Sequence, residues 1–171
     1  MNLTIRIATK SDAVLIADIS RITFEETFAA QNSKEDMDKF LKEQFTRDKL
    51  VLEAGAPENT YLLCYQKGKI AGYAKLRESP NPQGLDHKQA LEIVRFYALA
   101  EWIGKGIGRH LMQASIDIAM KRFKKIIWLG VWEKNQRAID FYTKWNFKKF
   151  GEQQFILGND AQTDWLMKKE L

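Results

Sequence analysis

Apolar residues fall at every second position of "LTIRIA" (3–8), a period that sends alternate side chains to opposite faces of a strand. The period then lengthens. In "SDAVLIADISRITFEETF" (11–28), Val14, Leu15, Ala17, Ile19 and Ile22 recur at helical spacing behind Ser11 or Asp12 as the capping residue. A second helical stripe, Met37, Phe40, Leu41 and Phe45, follows Ser33 over 33–45. "TYLLCYQ" (60–66) and "IAGYAKLR" (70–77), joined by Lys-Gly-Lys, read as a hairpin. The loop-like "SPNPQGLDHK" (79–88) leads to the strand "ALEIVRFYAL" (90–99). Gly104, Gly106 and Gly108 then open a helix over 108–123 with Leu111, Met112, Ser115, Ile118 and Ala119 on one stripe. A strand at 125–132, a helix at 135–145 and strands at 147–157 and 163–171 complete the pattern. The order β-α-α-β-β-β-α-β-α-β-β predicts an α/β (α+β) fold. Its mixed sheet of about seven strands is flanked by about four helices, unlike a doubly wound dinucleotide fold.

The 171 residues, 45% hydrophobic and 29% charged, suit one domain spanning 1–171. No apolar run reaches the roughly 18 residues of a membrane span. The first residues lack the basic-then-apolar order of a signal peptide. One cysteine, Cys64, permits no internal disulfide, which suits a reducing cytoplasm, and its place in an apolar strand reads as packing. His87 and His110 are the only histidines, and no metal cluster is expected. Charge is split along the chain. Residues 1–60 hold 8 basic and 11 acidic residues, net −3, and residues 61–171 hold 19 and 11, net +8. Such a division suits two ligands of opposite sign.

The glycines carry the first chemical signal. Alternating glycines at a helix start let backbone N–H groups close on an anion. A dinucleotide fingerprint, G-x-G-x-x-G, fails because its last position is Arg109, and no G-x-x-x-x-G-K-[ST] exists. What remains is a strand–turn–helix unit whose amides, with Lys105, Arg109 and the positive helix end, face a compact polyanion such as a pyrophosphate.

Two motifs in order then resemble the GCN5-related N-acetyltransferase (GNAT) superfamily. Its [RQ]-x-x-G-x-[GA] signature is met by Ile103-Gly104-Lys105-Gly106-Ile107-Gly108, with Ile103 in place of the usual Arg or Gln. Its N-x-x-A-x-x-F-Y helix is matched by Asn135, Ala138, Phe141 and Tyr142, followed by Asn146-Phe147 where the family usually has Gly-Phe. Asn tolerates the left-handed conformation best after Gly. "WLGVWEKNQRAIDFY" and the tail "FILGNDAQTDWLMKKEL" resemble the PaiA-type spermidine/spermine branch.

The resemblance implies a mostly antiparallel sheet with a splayed central strand pair holding acetyl-CoA. The pantetheine arm is expected along Phe96, Tyr97 and Ala98, and the pyrophosphate on Gly104, Lys105, Gly106, Ile107, Gly108 and Arg109. Asn135 is expected at the pantetheine or as a helix cap, and Lys144 at the 3′-phosphate. Tyr142 occupies the family's tyrosine position, where a phenol protonates the departing thiolate. An alkylammonium has a pKa near 10.4, so an acceptor must lose a proton first. Glu92, at the position of the base in histone-modifying members, is the expected acceptor of that proton, and neither histidine falls there. Glu25, Glu26, Glu35, Asp36 and Asp38 are expected around a polyamine, on the helices covering the acceptor side.

Two other acceptors, another small amine or a protein N-terminus, remain open, as do a homodimer and two other classes. One is a nucleic-acid-binding module using "KRFKK" (121–125) and "WNFKKF" (145–150), where basic and aromatic residues interleave. The other is a non-catalytic acyl-CoA-binding regulator, against which Tyr142 speaks.

Overall fold

Alternation makes Leu3–Ile7 the first strand, β1, and the helical stripe behind it makes Ala13–Phe28 helix α1. In the computed structural model, which describes residues 3–78, 84–86 and 89–171, α2 (Lys34–Glu43) and α3 (Arg47–Gly55) follow. Then come β2 (Asn59–Gln66), β3 (Lys69–Arg77) and β4 (Ala90–Ala98). α4 (Ile107–Lys121), β5 (Ile126–Trp132) and α5 (Gln136–Lys144) lead to the closing hairpin β6 (Lys148–Leu157) and β7 (Asp160–Glu170). Five helices stand where the sequence pattern predicts about four. The addition is α3, capped by Thr46 and burying only Leu50, so its apolar stripe is too sparse to read.

The seven strands form one sheet in the order β1-β2-β3-β4-β5-β7-β6. All neighbours run antiparallel except β4 and β5, which α4 connects as a parallel pair. One face carries α4 and α5 over a core that includes Leu91, Ile93, Leu111, Met112, Ile127 and Leu129. The other face carries α1 through Ile16 and Ile19 against Tyr61, Leu63 and Tyr73. α1, α2 and α3 enclose a second cluster, Phe24, Phe40, Leu41, Phe45 and Leu50, reached by Phe155 and Leu157 of β6.

Local signals act as expected at several joints. Lys67 and Gly68, at φ 50° and 76°, form the β2–β3 turn. The Ser33 hydroxyl accepts the Asp36 N–H at 3.1 Å and starts α2. Asn146 takes φ 65° after α5, and the Phe147 N–H reaches back to the Tyr142 carbonyl at 3.0 Å. The start of α1 differs from expectation. Asp12 does not cap it with its side chain; the carboxylate instead accepts two hydrogen bonds from Arg6, each 2.7 Å, and the Thr9 N–H at 2.7 Å.

Candidate active site

The parallel pair comes apart. β4 and β5 pair only from Ala90–Ile126 to Ile93–Leu129, while β4 continues beside β3 as far as Ala98 and β5 beside β7 as far as Trp132. A bulge helps turn β4 away, since Lys75 faces Arg95 and Leu76 faces Ile93, leaving Val94 without an opposite residue. A cavity of about 850 Å³ occupies the opening and reaches both faces of the sheet. Phe96, Tyr97 and Ala98 all line it, and beyond Ile93 their β5-facing edge has no strand to pair with.

On the α4–α5 side the glycine loop meets the cavity through Gly104, Gly106, Gly108 and Arg109. Gly106 precedes the helix at φ 85°, a left-handed conformation that strains any residue with a Cβ. Ile107, Gly108 and Arg109 are the first residues of α4, so their N–H groups have no carbonyl one turn back. Ile107 itself is core, 1% exposed. Lys105 departs from its expected place: it is not among the lining residues, its N–H closes a turn on Trp102 O at 3.2 Å, and its ammonium lies 5.0 Å from the Trp102 ring centroid. Asn135 lines the cavity and also caps α5, accepting the Ala138 N–H at 3.2 Å. Lys144 lines it too, joined by Arg137, which sequence reasoning missed because an exposed arginine on a helix carries no motif.

Tyr142 is buried where the two halves meet, among Phe96, Phe141 and Phe147. Burial lifts its phenol above the ordinary value, so the hydroxyl stays protonated. Glu92 is not brought to the cavity. Its carboxylate is buried and accepts two hydrogen bonds from Arg77, at 3.0 and 2.7 Å, and burial still pushes its pKa up against that pairing.

On the α1–α2 side the cavity is walled by Phe24, Phe28, Phe40, Phe45 and Phe155. Arg95 enters this wall with its guanidinium 4.7 Å from the Phe45 centroid and its charge held by Glu53. Asp164 of β7 enters as well; burial pushes its carboxyl up to about 6. Glu25 and Glu26 do not line the cavity, nor do Glu35, Asp36 and Asp38. Glu26 is committed elsewhere, accepting the Ala100 N–H at 2.9 Å, and Asp36 accepts that of Asn159 at 2.8 Å.

The other candidates have structural places. Cys64 is fully buried with its thiol pushed up to about 11, far from a nucleophile. His110 Nδ1 lies 2.9 Å from Gly106 O, bracing the loop, and His87 falls outside the described residues. Phe147 of the basic–aromatic stretch is core at 2% exposed, which removes it from any nucleic-acid surface. Among the described residues no group of three His, Cys, Asp or Glu side chains is placed to hold a metal ion, and no helix is long and apolar enough to cross a membrane.

The acetyltransferase (GNAT) family model matches residues 17–147, which contain the slot, the glycine loop and Tyr142. The chain belongs to this family. The acetyltransferase is 38% identical over 159 residues, 90% of this chain and 88% of the relative, to an uncharacterized N-acetyltransferase in the pepI 3′ region of Lactobacillus delbrueckii subsp. lactis. It is 28% identical over 92 residues to the spermine/spermidine N(1)-acetyltransferase of Bacillus subtilis (strain 168), 53% of this chain and 60% of that one. Its fold is that of the PaiA N-acetyltransferase from Thermoplasma acidophilum, crystallised with coenzyme A, at a TM-score of 0.78, 21% identity and full coverage of both chains.

Proposed function

We propose that this acetyltransferase moves the acetyl group of acetyl-CoA directly onto a primary amine of a small acceptor, with spermidine and spermine the first candidates. The observation that carries this reading is the parting of β4 and β5 after Ile93 and Leu129. It opens one continuous cavity from the start of α4, where free helix amides favour an anion, to the phenyl-walled side, where an organic amine is accommodated.

The residues present fit the cofactor. Gly106 gives the loop a conformation that brings backbone close without a side chain; Arg109 at the helix start and Arg137 and Lys144 of α5 line the same cavity with positive charge, beside one carboxylate, Asp140. The Trp102 indole N–H, at the same wall, is buried without a protein partner. Acetyl-CoA, when bound, supplies the acetyl thioester. The chain's own part is to hold the two reactants in one slot, which makes the encounter effectively unimolecular. The unpaired edge of β4 over Phe96 to Ala98 offers backbone groups to an extended arm. Tyr142 keeps its proton across the working pH range and donates it to the sulfur that leaves.

The polyamine assignment draws on the relative named for spermine and spermidine. Phenyl faces suit a chain of methylenes and ammonium groups, through burial of the first and cation–π attraction of the second. The test is to incubate the enzyme with acetyl-CoA and a panel of amines and read the products by mass spectrometry alongside thiol release. Brisk acetylation of spermidine or spermine supports the reading. Inert polyamines beside an acetylated protein N-terminus would replace the acceptor and leave acetyl transfer standing.

A further inference from the structure

Glu92 does not line the cavity and is held by Arg77, so a group inside the slot is better placed to receive the proton that the acceptor must lose. The lining residues of the α1–α2 side include a single carboxylate, Asp164, among the described residues. Its location follows from the sheet. Asp164 faces Trp132 on β5 and Gln153 on β6 in register. A Cβ built on Gly130 would lie 3.1 Å from Gln153 Nε2 and 3.5 Å from Asp164 Oδ2, so both side chains occupy the space that a residue at 130 would fill. Gly130 is the residue immediately after Leu129, where β5 parts from β4. The carboxylate therefore stands over the opening of the slot, on the phenyl-walled side.

Among the described residues no cation is paired with it, and Lys134, just after β5, lies over the ring of Trp132 at 5.8 Å from its centroid. Gln153 of β6 donates its amide hydrogen bond, and Tyr97 of β4 is the nearby titratable group, its phenol raised in part by the Asp164 charge. Arg95 of β4 is held by Glu53. Gly130 and Trp132 of β5, Thr27 and Phe28 of α1, Phe40 of α2 and Gln162 on β7 itself bring no charge. A half-buried carboxylate without a cation costs stability, and an ammonium brought beside it offsets that cost.

We propose that Asp164 anchors the acceptor's ammonium at the slot and takes its proton. The inference rests on the amine-acetylation reading above. In the step, an ammonium N–H bond breaks and its proton moves to the Asp164 carboxylate and on to solvent. The neutral amine then forms the N–C bond as the C–S bond breaks. The second N–H proton balances the one that Tyr142 gives to sulfur, so one proton is released overall. With its carboxyl pushed up to about 6, Asp164 is ionised near pH 7 yet more basic than an ordinary carboxylate.

The test compares wild type with Asp164→Asn and Asp164→Glu, using the whole enzyme, acetyl-CoA and two probes, spermidine and n-butylamine. Asp164→Asn is expected to lower kcat/KM for both probes by roughly 10²-fold at neutral pH and to erase the wild-type rise in kcat/KM. That rise is centred near the carboxyl's value of about 6. Acetyl-CoA affinity by calorimetry is expected to stay within about twofold, and Asp164→Glu to recover part of the loss. A second readout does not involve the acceptor. Because folding raises this carboxyl, its ionised form weakens the fold as pH rises through about 6, so Asp164→Asn is expected to have the higher Tm at alkaline pH and not at acid pH. A variant with unchanged kcat/KM and profile overturns the inference while leaving amine acetylation intact. So does lost activity accompanied by a lower Tm at alkaline pH, the mark of a structural carboxylate. A wild type that binds acetyl-CoA and acetylates no amine overturns both.

Discussion

Glu53 answers two cations that the sheet buries, Lys75 at 3.0 Å and Arg95 at 2.5 Å, the former only 3% exposed in its side chain. Removing one partner of a buried ion network leaves the others uncompensated, which typically costs about 3–5 kcal/mol. Glu53→Gln is therefore expected to lose that much in urea unfolding. These cations hold the Glu53 carboxyl down at about 2, so its contribution is present above the ordinary value of 4.5 and lost as pH falls toward 2. Tyr142→Phe removes one proton donor and little volume. It is expected to lower kcat by roughly 10²-fold with acetyl-CoA affinity unchanged, and the wild type to show no loss from phenol ionisation at pH 10, because burial holds that group higher. Glu92→Gln separates the two carboxylates. With Glu92 locked to Arg77 away from the cavity, kcat is expected to stay within about threefold of wild type at pH 7, far from the effect of Asp164→Asn. A pH-dependent collapse of kcat in Glu92→Gln would return the base to β4.

At the scale of elements, the join between β4 and α4 is the proposed seat of the cofactor's phosphates. Gly106→Val places a β-branched residue at φ 85° and fills the approach to the first helix amides. Acetyl-CoA affinity is expected to fall at least about 10-fold by calorimetry, with a stability loss of about 1–3 kcal/mol. Gly108→Ala is the comparison. A Cβ there meets Phe141 at 3.4 Å, ordinary contact, and the backbone is helical. It is expected to fold like wild type with a smaller loss of affinity. Equal effects from both changes would move the cradle away from Gly106.

Over the whole molecule, the acidic residues of the first third expected at the acceptor do not line the slot. Glu25 and Glu26 project from α1 outside the cavity while Phe24, Thr27 and Phe28 of the same helix line it. Glu25→Gln and Glu26→Gln together are expected to change the spermidine KM by less than about twofold at physiological salt, since exposed charges are screened within about 8 Å. A larger rise would restore these positions to the acceptor.

What the sequence determined by itself is what short-range physics encodes. The β2–β3 turn at Lys67-Gly68, the Ser33 cap, the left-handed Asn146 after α5 and the glycine approach to α4 each depend on a few neighbouring residues, so each is legible in a short stretch. Tyr142 and Asn135 were legible because their motif lies within a single helix and its cap. Tertiary structure alone decided the rest. Which carboxylate faces the slot depends on pairing between strands far apart in sequence. Asp164 shares strand parity with the buried Gln162 and Leu166, a faint sign of an inward position, but its meaning came from β5 lacking a side chain at Gly130. Glu92 is drawn to a partner on β3 and does not line the slot, and Glu25 and Glu26 are kept out of its lining by the way α1 sits against α2 and the sheet. Local rules write turns, caps and helix starts; the register of a sheet and the facing of a helix are settled when hydrophobic faces meet, and the chemistry of the slot is assembled at that moment.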